Sequence, residues 1–436
     1  MVPQTAMFRI EHSCPQPHPQ GGHACDTLDS TRISADTMST RRPFVVTCVV
    51  VGIAWALSVA AQSDDIQPTH AAIQYSRPSN DPVASLLRRP EAVSRLTSEG
   101  PSGYLRSILG ALDIPVSSQI MVFSRGSVQS ALISANNPRA LYFNDSVVVG
   151  WVRRGFVEIA AQDPEQGTIF YRAHAGLLWG VSITRDNDCL SCHNGHRTAG
   201  VPGLIEPMGQ TRPLERRWGG WYVTGNLGTI QHPGNVDVEK LTSGDAFPKT
   251  ITLTSLEQTF YTRGYLAPYS DIAALMVFEH QMQMSNRLTR LGWETRVAVH
   301  DKRPVASSSS FRERVEDVVD YMLFVDEAPI TSRLQGTSGF AASFSERGPR
   351  DSKGRSLRQL DLTTRLLRHP CSYMIYSAQF EKLPADAKTA VYQRLWTILS
   401  GKETDARYRH LSASDRRAVL EILRETKTDL PKYFLG

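Results

Sequence analysis

Two cysteines and a histidine form the most chemically specific group in this chain. Cys189, Cys192 and His193 stand in the spacing C-x-x-C-H. This is the attachment spacing of haem c, in which the two thiols form thioethers with the haem vinyl groups and the adjoining imidazole binds the iron. We therefore expect one covalently bound haem, with Cys189 and Cys192 as its anchors and His193 as the proximal ligand of its iron.

Two other uses of this motif stay open. A zinc site would need two further ligands close to Cys189 and Cys192. A thioredoxin-like redox pair would need a strand that runs directly into a helix. With zinc in place of haem, the chain would be a structural or binding module with about one zinc ion per chain and no covalent haem.

The sixth coordination position of the iron decides which function the motif would serve. A Met or His ligand there favours electron transfer, whereas an open position lets a small molecule bind the iron. The candidate distal ligands are Met208 in a loop rich in Pro and Gly, His280 on a predicted helix, and His232 in a second loop. For each of them a role without a metal, in a loop or in the core, stays open.

The chain also carries an export signal, as attachment of haem outside the cytoplasm requires. Residues 38–61 combine a basic start, an apolar run from Phe44 to Ala60 and a small-residue site that ends at Ala61. We expect cleavage after Ala61 and a periplasmic or exported protein, whereas an uncleaved leader would anchor it to the inner membrane. Residues 1–37 precede this complete leader, so we expect them to result from a start site placed too far upstream.

The composition of the remaining chain limits its partners. Cleavage after Ala61 leaves most of the 436 residues and three cysteines, Cys189, Cys192 and Cys371. No internal disulfide is expected once haem takes its pair, and we expect Cys371 to be a buried structural thiol. The segment up to Ala61 holds four basic and four acidic residues, so the net charge stays at +5 after cleavage. Such a small excess predicts neither a nucleic-acid partner nor attraction to a membrane surface.

The part of the chain before the motif is predicted to be rich in β-structure. A lead-in linker at 62–101 and a short helix at 104–112 come first. Apolar runs then alternate with turn residues, which predicts a small antiparallel sheet. The predicted strands are 120–123, 140–143, 147–152, 156–161 and 168–171. Pro, Gly, Asp and Asn are frequent around the motif and predict a loop-rich haem region, which completes a haem-binding part at 102–240.

The rest of the chain, 241–436, is predicted to be mainly helical. The hydrophobic period indicates helices at 271–291, 311–325, 385–399 and 412–427, the last with a capping arrangement at its start. Residues 336–356 have little apolar content and predict a long surface loop or a lid. The expected fold class is therefore α+β, with an antiparallel β-rich part before the motif, a loop-rich haem region and a mainly helical C-terminal part.

In its C-x-x-C-H motif the chain resembles c-type cytochromes. This resemblance covers five residues and carries no fold, because a small cytochrome c domain has a helix where strands are predicted here. Beyond the motif, the chain is similar to large bacterial exported proteins that contain a cytochrome c domain, in segments 137–145, 219–225 and 370–377. Their similarity implies haem binding and electron transfer without a known substrate. Di-haem peroxidases are similar in size, but they carry two such motifs and this chain has one.

The hypothesis that follows is a single-haem c-type cytochrome of the cell envelope that exchanges one electron at a time with a redox partner protein. The first alternative is a haem enzyme or a sensor of a small gas, with an open distal position that the 336–356 segment could cover. The second alternative is the zinc-bearing module. An enzyme is therefore not excluded, but electron transfer is favoured.

Overall fold

The structure, a computed structural model, describes residues 66–175, 180–205, 209–237 and 250–435. These residues belong to one compact unit, Asp65–Gly436. The predicted leader at 38–61, the segment 1–37 and the candidate ligand Met208 lie outside the described residues. Within the described ranges, no helix is both long enough and apolar enough to span a membrane.

Seven strands form one antiparallel sheet in the order β6-β5-β4-β3-β2-β1-β7. Six consecutive strands make a meander, and the short seventh strand pairs with the free side of the first. The strands are β1 Ile120–Val122, β2 Arg139–Phe143, β3 Val147–Trp151, β4 Val157–Asp163, β5 Gly167–Ala175, β6 Val181–Arg185 and β7 Trp221–Tyr222.

Two tight turns in this meander follow directly from their polar residues. Between β2 and β3, the Asn144 side chain accepts the backbone N–H of Val147 at 2.9 Å. Between β4 and β5, Asp163 Oδ1 accepts the backbone N–H of Gln166 at 2.7 Å, and Gly167 takes a φ of +87°. Short Asx side chains stabilise such turns, and glycine adopts positive φ without a steric penalty.

Helices precede the sheet and follow it. The described residues contain ten α-helices: α1 Pro82–Leu87, α2 Pro90–Ser94, α3 Leu105–Ala111, α4 Leu190–His193, α5 Ile272–His300, α6 Ser309–Met322, α7 Phe340–Glu346, α8 Ala378–Glu381, α9 Ala385–Leu399 and α10 Ala413–Thr426. The longest, α5, begins at the N-cap Asp271, whose Oδ1 accepts the N–H groups of Ala273 and Ala274 at 2.8 and 3.0 Å. Most of its side chains are buried, so α5 is the central helix of the fold.

Both faces of the sheet are covered by apolar side chains. Successive residues of a strand point to opposite faces, which divides neighbouring residues between two cores. Phe143 and Phe170 belong to the core shared with α5 and the C-terminal helices. Tyr142 and Tyr171 belong to the other core, which α1 and α3 cover. The motif therefore follows an edge strand of a sheet whose two faces are both buried.

The α+β fold class predicted from the sequence is confirmed, with the sheet in the N-terminal part and most helices after it. All five predicted strands form. The sequence analysis missed β6, a half-exposed edge strand with only two large apolar residues, and the two-residue β7 after the motif. The predicted helix at 271–291 extends further, to His300. The proposed boundary between residues 240 and 241 stays a prediction.

The prediction of a surface loop or lid at 336–356 is wrong in part, because this segment contains α7. Phe340 and Phe344 on this helix are 1% and 2% exposed and pack in the main core. Before α7, Ser338 donates both its N–H and its hydroxyl group to Asp271 Oδ2 at 2.8 Å. Two buried aromatic side chains in a polar segment are sufficient to hold it against the core.

Two local predictions in the C-terminal part are confirmed. Cys371 is completely buried. At the start of α10, Ser412 and Asp415 form the expected capping box, in which the Ser412 hydroxyl accepts the Asp415 N–H at 3.0 Å and Asp415 accepts the Ser412 N–H at 3.2 Å. Each of these bonds satisfies a backbone group that a free helix end leaves without a partner.

Candidate haem-attachment site

The motif lies directly after the edge strand β6. Asp186 begins a short turn by accepting the N–H of Asp188 at 3.1 Å, and the turn continues into the four-residue helix α4. Cys192 and His193 follow Cys189 by three and four residues, so a helical turn brings all three side chains to one side. The local fold therefore places two thiols and one imidazole within one helical turn.

The His193 ring is oriented by a backbone carbonyl group. Its Nδ1 lies 3.0 Å from the Gly203 carbonyl oxygen, which places the proton on Nδ1. Burial lowers the pKa of His193, although the bond to Gly203 opposes this effect, so the ring is neutral at pH 7. In this tautomer Nε2 carries the lone pair, as a nitrogen that binds a metal ion must.

The loop that supplies this carbonyl group is itself well held. Gly203 returns a second hydrogen bond, because its N–H donates to the His193 carbonyl oxygen at 2.9 Å. The Thr198 hydroxyl group donates to the Val201 carbonyl oxygen at 2.7 Å. Asn286 on α5 donates its side-chain N–H to the Leu204 carbonyl oxygen at 2.9 Å. The central helix thus fixes the loop that orients the imidazole.

Apolar contacts hold the motif against the sheet. The ring centroids of His193 and Phe170 on β5 are 5.0 Å apart at an angle of 47°. Cys189, Leu190 and Leu204 are half-buried and pack against the main core. The side chains of Cys189, Cys192 and His193 are only half-buried, so part of each is accessible to a bound group. The apolar side chains beneath them could pack against a planar apolar macrocycle.

The Cys189 thiol does not have the character of a redox-active thiol, and the described residues around the motif do not form a complete zinc site. Burial, followed by the charge of Asp186, raises the pKa of the Cys189 thiol to about 12, whereas redox-active thiols have a lowered pKa. Both cysteines are free thiols. Among the described residues, the one group of three His, Cys or carboxylate ligand atoms within 4.8 Å of one another lies elsewhere. The described surroundings of Cys189 and Cys192 therefore lack the two extra ligands that zinc requires.

Charged side chains from the sheet surround the motif. Arg139 on β2 pairs with Glu158 on β4 at 2.9 Å, and Arg172 on β5 pairs with Asp186. After burial and the opposing bond to Gly203, the Arg139 charge also contributes to lowering the pKa of His193. Within the described ranges, the Arg139 Nε atom is buried and lacks a hydrogen-bond partner.

This unsatisfied donor tests whether the residues fit a haem. Leaving a buried N–H of a charged group without an acceptor costs about 1–3 kcal/mol or more, so such groups are rare unless a ligand accepts the bond. A haem brings two carboxylate groups with it. An arginine whose charge acts on His193 and whose Nε lacks a partner among the described residues is therefore compatible with a haem at the motif.

The first distal candidate, His280, is occupied by protein groups. Its Nδ1 lies 2.9 Å from the Gln210 side-chain oxygen, and its Nε2 lies 2.7 Å from the Ser372 hydroxyl group. The ring stacks on Tyr321 and Phe324 with interplanar angles of 5° and 16°. Either nitrogen would have to lose a buried hydrogen bond before it could bind iron, which favours the core-residue interpretation of His280.

The second distal candidate, His232, lies beside the opposite edge of the sheet. Its ring packs edge-on against Trp218 at 5.5 Å, and its Nδ1 accepts the Gly234 N–H at 3.1 Å. Five strand spacings of about 4.8 Å separate β5 from β7, roughly 24 Å along the sheet. His193 contacts β5, whereas His232 lies near β7, so the described structure does not bring the two histidines together. The third candidate, Met208, lies outside the described residues.

Three residues that act on the motif or on its loop were not predicted from the sequence: Gly203, Asn286 and Arg139. Gly203 was visible only as part of a Pro-Gly loop, and no local signal marks Asn286 on α5 or Arg139 on β2. A fixed spacing identifies ligands that are adjacent in the sequence, whereas these three partners all lie outside the motif and two of them lie on distant elements. Strand pairing and the path of α5 bring them close.

Comparison with known proteins adds no further constraint. No family model, no curated protein and no solved structure in the comparisons matches this chain.

Proposed function

We propose that this chain is a single-haem c-type cytochrome of the cell envelope that transfers one electron at a time. The observation that carries the proposal is the hydrogen bond from His193 Nδ1 to the Gly203 carbonyl oxygen inside a C-x-x-C-H motif. This bond leaves Nε2 as a neutral ligand, fixes the direction of the ring and raises its basicity. The predicted leader at 38–61 supports a periplasmic or exported location, with attachment to the membrane only if the leader is retained.

The residues of the chain would have distinct roles. Cys189 and Cys192 would hold the haem covalently, each by addition of its S–H bond across one vinyl group. His193 would bind the iron, and the Arg139 Nε, which lacks a partner among the described residues, could donate to a carboxylate group of the haem. Bound haem supplies an iron that alternates between Fe(III) and Fe(II). The redox partner protein is unidentified, and the net charge of +5 predicts no nucleic-acid partner.

The anchoring roles can be tested with cysteine variants. We expect the wild-type chain, exported in a host with haem-attachment machinery, to retain haem on a denaturing gel. The double variant Cys189→Ala with Cys192→Ala should lose this haem. Cys371→Ala is the matched control, because it removes a buried thiol far from the motif in sequence, and it should retain haem. Haem retained by the double variant would refute the proposal, and about one zinc ion per chain, lost in the double variant, would support the zinc-bearing module.

A haem enzyme or small-gas sensor remains a second candidate because of the distal side. His280 uses both ring nitrogens in the core, and His232 lies at the other edge of the sheet. Met208 is then the remaining proposed ligand. A reduced spectrum that does not respond to carbon monoxide in wild-type protein, but does so in Met208→Ala, would identify Met208 as the ligand of an electron carrier. A response in the wild-type protein would instead indicate an open iron and favour sensing or catalysis.

A further inference from the structure

We propose that His70, His300 and Asp301 form a second metal site, which binds Zn²⁺. These three residues are the described group whose ligand atoms lie within 4.8 Å of one another. Two imidazole nitrogens and a carboxylate oxygen form a ligand set that Zn²⁺ prefers, with a fourth position left for water. The site is separate from the haem motif and does not depend on the proposed function.

The distances between the ligand atoms fit such an ion. A tetrahedral Zn²⁺ with bonds of about 2.0–2.1 Å keeps its ligand atoms roughly 3.3 Å apart. His70 Nε2 lies 3.5 Å from Asp301 Oδ1, and His300 Nδ1 lies 2.9 Å from the same oxygen. Only small rotations of these side chains would bring both distances to the tetrahedral value. The His70 and His300 rings are 5.3 Å apart and nearly perpendicular, so they approach the same point from different directions.

The backbone holds these residues in place from both sides. His70 accepts the N–H of Ile73 at 2.8 Å with its backbone carbonyl group, and Ile73 is 3% exposed. His300 is the last residue of α5, and the Asp301 N–H closes the helix by donating to Val297 at 2.9 Å. Preorganised ligands lose less conformational freedom when a metal ion binds.

The charges and protons of the cluster also permit metal binding. His300 Nδ1 donates its proton to Asp301 Oδ1 at 2.9 Å, and metal binding through Nδ1 would require this proton to move to Nε2 of the exposed ring. Arg303 approaches Oδ2 at 3.5 Å and leaves Oδ1 to face the imidazoles. His70 Nδ1 accepts the Ala72 N–H at 3.1 Å. In this arrangement the ring proton of His70 is on Nε2. Metal binding through Nε2 would require this proton to move to Nδ1, and the half-buried Ala72 N–H would then donate to water instead of Nδ1.

A metal ion at this position would join distant parts of the chain. His70 lies in the lead-in segment that follows the predicted leader, whereas His300 and Asp301 lie far along the chain, at the end of α5. The bound ion would clip the start of the described chain to the central helix and so stabilise the folded state. Because Zn²⁺ binds the folded arrangement, it should raise the unfolding temperature.

The test is a calorimetric titration of the purified exported protein with zinc chloride after treatment with a chelator. We expect about one strong site per chain and a higher unfolding temperature with zinc. His70→Gln should weaken binding by more than about 100-fold, because loss of a ligand exceeds the effect of changing its outer partners. Asp301→Asn should have the same effect, since it removes the anionic oxygen and keeps the shape of the side chain.

The matched control is His174→Gln, which removes an exposed histidine from β5, outside the cluster. This variant should bind zinc as the wild-type protein does. Equal zinc affinity in wild-type protein and in His70→Gln, with both variants folded by circular dichroism, would overturn the proposal. Haem retained by the double cysteine variant would refute the proposed function and leave the zinc titration unchanged, so the two proposals can fail separately.

Discussion

Replacement of Gly203 by alanine is the sharpest test of the proximal loop. A Cβ atom at this position would lie 2.1 Å from Asn286 Oδ1 and 2.8 Å from its Cγ. Ordinary contacts begin at 3.4 Å, so one partner must move by more than an ångström. Asn286 is 2% exposed and has little room to move. Overpacking of this kind costs about 1–3 kcal/mol. Movement of Asn286 would also weaken its hydrogen bond to the Leu204 carbonyl oxygen, which adds about 1 kcal/mol.

We therefore expect Gly203→Ala to lower the free energy of unfolding by about 2–4 kcal/mol in a urea titration. The matched control is Gly195→Ala in the same loop. A Cβ there meets nothing within 4 Å, and its backbone is extended with a φ of −167°. That control should stay within about 0.5 kcal/mol of wild type.

The same substitution gives a second measurement that depends on the haem proposal. Displacement of the Gly203 carbonyl group weakens its bond with His193 Nδ1 and makes the imidazole a weaker base. Fe(III) is then stabilised less, so the midpoint potential should rise in Gly203→Ala and stay unchanged in Gly195→Ala. Equal unfolding free energies for the two variants would refute the packing derived for this loop. A changed stability with an unchanged potential would refute only the role of the hydrogen bond.

Three other predictions concern buried residues. Burial raises the pKa of Glu279 and of Glu327 to about 7, above the ordinary value of 4.5, so the folded protein holds protons that the unfolded chain releases. The contribution of these two groups to the free energy of unfolding should therefore fall as the pH rises from about 4.5 to 7, so the difference in free energy between wild type and Glu279→Gln should fall over this range in urea titrations; a difference that does not change with pH would contradict the assignment. His280→Gln should leave the reduced haem spectrum unchanged and lower stability by about 1–3 kcal/mol, whereas a changed spectrum would return His280 to the iron. Phe340→Ala should cost about 3–5 kcal/mol by denaturant titration, and a cost below about 1 kcal/mol would indicate the surface loop that the sequence suggested.

Local sequence patterns predicted those parts of the fold whose causes are local. The strands formed where apolar runs stand between turn residues, and Asn144 and Asp163 close two of the turns with their own side chains. The capping box at Ser412 formed because both partners lie within one helical turn. Half-exposed β6 was missed because an edge strand needs few apolar residues to pair.

The sequence by itself determined which side chains the motif brings together, since Cys189, Cys192 and His193 lie within one helical turn. Only the tertiary structure decided which groups surround that turn. The acceptor at Gly203 and the unsatisfied arginine donor reach it through loop closure and strand pairing. His70 likewise meets the end of α5, although more than half of the chain separates the two in sequence. Contacts of this kind depend on how sheet and helix pack, and packing leaves no periodic signal in the residues that it brings together.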